Sequence, residues 1–159
     1  MHKRPYKLVV AVILAAAVFS IYYWASRETP TELLPGFWSL ASEESVRERI
    51  ASHAVTAEGG QEGSVHTSAL IVQGFEHLGQ SGELQLEFVN RRLMAVRFFP
   101  DNMPAYLRRL STTVDLLRGS SIRVSKHTWA FTGTDLKQRR FVCWADRKML
   151  DQLRDSTWR

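Results

Sequence analysis

The sequence predicts an α+β fold: an N-terminal transmembrane helix, then a small antiparallel β-sheet of about five strands packed by two or three helices. Three observations predict it. Leu8 to Ala25 runs without a charge behind a basic tail. Leu84, Leu86 and Phe88 alternate with Glu83, Gln85 and Glu87, the period of a strand with one wet face. Met103, Tyr106, Leu107, Leu110, Val114 and Leu117 recur as one apolar stripe at helical spacing. Beyond the anchor, roughly 130 residues remain, the size of one domain with its own core. Charged residues are 23% of the chain, an ordinary globular share that argues against wholesale disorder.

Residues 1–7 read as a cytoplasmic basic tail and residues 8–25 as a signal-anchor helix. Those 18 residues span about 27 Å at ~1.5 Å per residue, close to the ~30 Å hydrocarbon core of a bilayer. Lys3, Arg4 and Lys7 mark the near membrane interface, and the amphipathic rings of Tyr22, Tyr23 and Trp24 the far one. The Lys/Arg bias keeps the N-terminus in the cytoplasm and exports the rest. The expectation is a single-pass protein of the cell inner membrane with a periplasmic domain. A cleaved signal peptide ending at Ala15-Ala16-Ala17 is the competing reading. Its mature end would begin Val18-Phe19-Ser20. The single cysteine, Cys143, leaves no intrachain disulfide and lies too far from the anchor to carry a lipid.

Residues 26–35, with Pro30 and Pro35, read as a linker, and residues 36–159 as the domain. Ser42 caps a helix from Glu43 to His53, with Glu43 and Glu44 in its first turn. The glycines and glutamates of Thr56 to Gly63 suit a loop. Ala69 to Leu78 and Glu83 to Phe88 are strands around Gly79-Gln80-Ser81-Gly82. Asn90-Arg91-Arg92 turns into a strand from Leu93 to Phe99, which Pro100 stops. Asp101 or Asn102 caps the striped helix, Pro104 sits in its first turn, and Gly119 ends it. Arg123 to Thr132 and Arg139 to Trp144 form a second hairpin around Gly133-Thr134-Asp135. Asp146 caps a closing helix with Met149, Leu150 and Leu153 inward and Trp158 packed beneath its end.

The motifs exclude more than they assign. His53, His66, His77 and His127 show no metal-ligand spacing, and no Gly-rich phosphate loop is present, so neither metal nor cofactor is expected. Cys143 lies between Phe141 and Trp144 in a strand, the setting of an inert core thiol. A thiol or hydrolytic enzyme would need His127 as base and a carboxylate such as Asp146.

Charge is divided unevenly along the chain. Leu33 to Val89 holds two arginines against eight glutamates, a net of −6, and Asn90 to Arg159 holds fifteen Lys/Arg against six acids, a net of +9. The two halves neutralise each other in the fold, or they leave a basic patch of Arg91, Arg92, Arg108, Arg109, Arg123, Lys126, Arg139 and Arg140. Such a patch suits anionic lipid, glycan or an acidic partner. An exported domain argues against nucleic acid. The sequence therefore points to a membrane-anchored, non-enzymatic binding or assembly module. It would meet the bilayer through residues 8–25 and an envelope protein through contacts near the membrane. The alternatives are the basic lipid- or glycan-binding surface and the enzyme around Cys143 and His127.

Overall fold

A computed structural model of the protein describes residues 29–62, 65–110 and 121–151. In chain order its elements are β1 (Glu32–Leu34), β2 (Phe37–Trp38), α1 (Glu43–Arg49), β3 (Val55–Glu62), β4 (Val65–His77), β5 (Gln80–Val89), β6 (Arg92–Pro100), α2 (Met103–Leu110), β7 (Ser121–Arg123), β8 (Thr128–Thr134) and β9 (Arg140–Asp146). A further helical stretch begins at residue 147. β1 and β2 pair as a small hairpin. The other seven strands form one antiparallel sheet in the order β3-β4-β5-β6-β9-β8-β7. Two meanders, β3 to β6 and β7 to β9, are thus joined where β6 pairs with β9 through Ala95↔Ala145 to Phe98↔Val142.

The apolar side of β5 makes the main core. Leu84, Leu86 and Phe88 pack with Leu70 and Val72 of β4, Val96 and Phe98 of β6, and Val142 and Trp144 of β9. Each such side chain contributes about 1.5–3 kcal/mol when fully buried. Both helices cover this face, through Val46 and Ile50 at α1 and Met103, Tyr106, Leu107 and Leu110 of α2. The Ser42 hydroxyl caps α1 by accepting from the Ser45 amide at 3.2 Å. The Asn102 side-chain oxygen caps α2 by accepting from the Ala105 amide at 3.0 Å. Leu33, Leu34 and Phe37 of the β1–β2 hairpin close the same core. Asn90 and Arg91 adopt φ of 49° and 62°, the left-handed pair that a two-residue hairpin turn requires between β5 and β6.

Three expectations need correcting. The fold is mainly β rather than α+β, and its sheet has seven strands, not about five. The reason is visible at the margins. Residues 56–62, read as a loop, pair in full register with β4, which satisfies the inward half of this edge strand's backbone and leaves the other half to solvent. Ser121–Arg123 adds a short strand at the other edge of this sheet, and Glu32–Leu34 forms half of the separate hairpin. The helices are shorter than their apolar spacing suggested: α1 ends at Arg49, and α2 is described to Leu110. The remainder of that stripe, Val114 and Leu117 with Gly119, lies outside the described residues, as do Leu153 and Trp158.

The expected membrane helix at 8–25, with Lys3, Arg4, Lys7, Tyr22, Tyr23 and Trp24, also lies outside the described residues. Among those described, no helix is long and apolar enough to cross a membrane. The expectation of a single-pass inner-membrane protein is corrected on that finding: what the structure describes is a β domain without a spanning helix.

Candidate protein-contact face

The sheet face opposite α1 and α2 carries the polar side of β5. Its centre is a smaller apolar cluster of Met94, Ala95, Phe99, Phe141, Cys143, Ala145 and Met149. Two of its aromatic rings are sandwiched between guanidinium groups. Arg139 lies 4.5 Å over Phe99, Phe99 stands 5.3 Å from Phe141, and Arg97 lies 5.0 Å over Phe141. Each cation–π contact contributes about 0.5–1 kcal/mol at a solvated site. Gly133 makes this stack possible, because a Cβ there would run into the Phe141 ring.

Carboxylates fix both guanidiniums. Arg97 pairs with Glu87 at 3.0 Å, and Arg139 pairs with Glu83 at 3.1 Å and Asp135 at 2.8 Å. Gln73 and Gln85 donate to the two oxygens of Glu83 at 2.8 and 2.9 Å. Partial burial opposes ionisation of Glu83, but the bonds from Arg139, Gln73 and Gln85 outweigh it and hold the carboxyl below its ordinary value. At Glu87 the balance reverses: burial raises the pKa, and the charge of Arg97 only partly offsets it. The Arg97 Nε is buried without a hydrogen-bond partner, so this pair is less completely satisfied than the Arg139 cluster.

Over this face projects the β8–β9 hairpin, whose turn is built by Asp135. One Asp135 oxygen accepts from the amides of Lys137 and Arg139 at 2.9 and 2.8 Å, and the other takes the Arg139 side chain. Gln138 closes the turn at φ 63°. This rigid frame holds Leu136 wholly in solvent, at 103% relative exposure. Beneath it runs a groove of about 760 Å³ whose walls include Thr56, Ile71, Gln85, Arg97, Leu136 and Phe141. Sequence reasoning placed the turn two residues too early and did not single out Leu136. Its signal was an aspartate followed by a leucine among polar residues, Thr134-Asp135-Leu136-Lys137-Gln138.

The eight cations of the expected basic patch fall in several places. Arg91 and Arg92 sit at the β5–β6 turn, and the Arg92 guanidinium donates to the Leu40 carbonyl at 3.0 Å. Arg108 and Arg109 lie on α2, where Arg109 donates to the carbonyls of Leu78 and Gly79 at 2.7 and 2.9 Å. Arg123 donates to the carbonyls of Ser125 and Lys126 in the β7–β8 turn. Arg140 begins β9 and Arg139 precedes it, next to Pro100 at the opposite end of β6 from Arg92. Arg139 and Arg140 share a groove near the start of α2, and Arg91 lines a different one beside α1.

Cys143 pairs with Arg97 across β6–β9 and is buried. Burial, helped by the charge of Glu87, pushes its thiol up to about 12. The His127 carbonyl accepts from the Arg147 amide. It therefore stands opposite a residue four positions beyond Cys143, about 13 Å along the chain at ~3.3 Å per residue. Asp146 accepts from the Lys148 amide at 3.0 Å and caps the helical stretch that follows. On the other face, His77 meets the Tyr106 hydroxyl at 2.6 Å within rings of Phe98 and Trp144. Among the described residues, no group of three or more His, Cys, Asp or Glu stands close enough to hold a metal ion.

No protein-family model matches the chain, and no curated protein shows significant sequence similarity to it.

Proposed function

We propose that this domain is a binding module that works by protein contact, with the β8–β9 hairpin tip as its anchor. The observation that carries the reading is Leu136. A fully exposed leucine on a turn clamped by three bonds to one aspartate is presented in a fixed position. Burying it against a partner contributes about 1.5–3 kcal/mol, the scale of an interface hot spot. Because Asp135 has already ordered the turn, little conformational entropy opposes binding. The groove beneath the tip gives a partner side chains to meet on both sides of it.

A photo-crosslinking amino acid at position 136, introduced in cells, tests this. A discrete protein adduct is expected, and Asp135→Ala in the same chain should reduce it severalfold by loosening the turn. The same probe at Leu78, an exposed hydrophobic residue at another turn, serves as control. No adduct at 136, or equal adducts at both positions, sinks the proposal.

A further inference from the structure

β3 is the long edge of the seven-stranded sheet. Its eight residues pair with β4 without a bulge, from Val55↔Val72 to Glu62↔Val65, and among the described residues it pairs with no other strand. The Gln73 amide donates to the Ala54 carbonyl. Antiparallel ladders alternate, so Thr56, Glu58 and Gly60 turn their amides and carbonyls toward β4. Those of Val55, Ala57 and Gly59 point away from the sheet. The far side of β4 agrees, since the Asn90 amide donates to the His66 carbonyl. His66, Ser68, Leu70 and Val72 therefore face β5.

Exposed edges are normally blunted by short length, a bulge, proline or lysine. The opposite edge, β7, is three residues long. β3 has none of these devices. Instead it carries Glu58 and Glu62 and no cation. Glu58 is exposed and lines the clefts on both sides of the strand: the groove beneath Leu136, and a cleft of about 560 Å³ under α1 that Glu44 also lines. Glu43 in that cleft is already paired with Arg47 at 2.7 Å, which leaves Arg91 as the cation opposing Glu44 and Glu58 there.

We propose that β3 is the docking edge for an extended basic segment of a partner protein, which adds to the sheet as an eighth strand. Main-chain bonds to Val55, Ala57 and Gly59 supply affinity. Lysine or arginine side chains at alternate positions share one face of the added strand and select the segment by reaching Glu58. A second copy of this chain is a poor occupant, because β3 supplies no cation to meet Glu58, and an antiparallel β3 pair centred on Glu58 sets like charges opposite each other, which destabilises the pair.

A labelled octapeptide alternating lysine and valine, titrated into the full-length protein and followed by fluorescence anisotropy, tests the site. Saturable binding is expected, weakening as salt is raised. The glutamate–valine counterpart should bind at least about tenfold more weakly, near 1.4 kcal/mol. Ala57→Pro deletes an outward amide but no bond to β4, a place where strands tolerate proline, and should weaken binding about tenfold. Glu58→Lys, at an exposed side chain, should do the same without backbone change. Leu136→Ala, which adds no charge to the groove that Glu58 also lines, should leave peptide binding intact, which separates this site from the hairpin tip. The proposal fails if the lysine–valine peptide does not bind saturably, if both peptides bind alike, or if neither β3 variant weakens binding. It also fails if sedimentation shows a dimer that Ala57→Pro dissolves, which would give the edge to a second copy.

Discussion

His77 and Tyr106 meet inside the main core, and the desolvation that drives Tyr106 above its ordinary value also lowers His77 below 6.5. The folded state then binds a proton at His77 less readily than the unfolded chain does. Stability contributed by the neutral imidazole is complete above pH 6.5 and declines as pH falls below it. Glu87 acts with the opposite sign above 4.5, because its folded carboxyl holds a proton more readily. Comparing wild type with His77→Gln isolates the imidazole. Wild type should lose Tm relative to the variant as pH is lowered from 7.5 toward 5 (about 6.5 being the reference value). Parallel curves would count against a buried neutral histidine. This pairing was not legible in the sequence, which shows five scattered histidines and no sign of which ring a tyrosine will meet. The burial of Cys143 was legible, because apolar neighbours on a strand are enough to bury a thiol.

The β1–β2 hairpin is tied to the β7–β8 turn by hydroxyls. Thr128 is fully buried, donates to the Glu32 carbonyl at 2.9 Å, accepts from Ser125 at 2.9 Å and meets Thr31 at 2.7 Å. Thr128→Val keeps the shape and strands those partners, so it should cost about 1–3 kcal/mol in urea unfolding. A cost near zero would show that water replaces the network. At the level of elements, β5 was readable because its two faces have different solvents, and period two records that difference. β3 was not, because glycine and glutamate are poor strand formers in isolation and the strand exists through the ladder β4 offers it. The hairpin tip was misplaced for a related reason. Gly133 looks like a turn residue, but the Phe141 ring claims the space where its Cβ would be, and the turn falls to Asp135.

The main core runs unbroken from the N-terminal hairpin to β9, so the domain cannot be trimmed at Ser42 without opening it. Phe37 is 4% exposed and stacks edge-on against Phe75 at 6.0 Å. Phe37→Ala should therefore destabilise the whole domain by about 3–5 kcal/mol, read from the urea midpoint. An effect below about 1 kcal/mol would mark the hairpin as an accessory.

The charge asymmetry of the sequence also resolves at this scale. The acidic half builds β3 to β5 with α1, the basic half builds β6 to β9 with α2, and Glu87–Arg97 and Glu83–Arg139 bridge between the two halves. Sequence shows how much charge each half holds, but not which carbonyls will cap Arg92, Arg109 and Arg123. The expected basic patch is dispersed for that reason.

Cys143 sits where the two meanders are stitched together, and the chain contains no other thiol. Each meander is assembled from contacts close in sequence, whereas the β6–β9 stitch must await closure of the intervening loop, an order that favours late formation. The natural sulfur is thus a reporter already installed at that stitch. The rate at which an aromatic disulfide labels it, compared with the rate of global unfolding, times the parting of the two meanders in the unmodified protein.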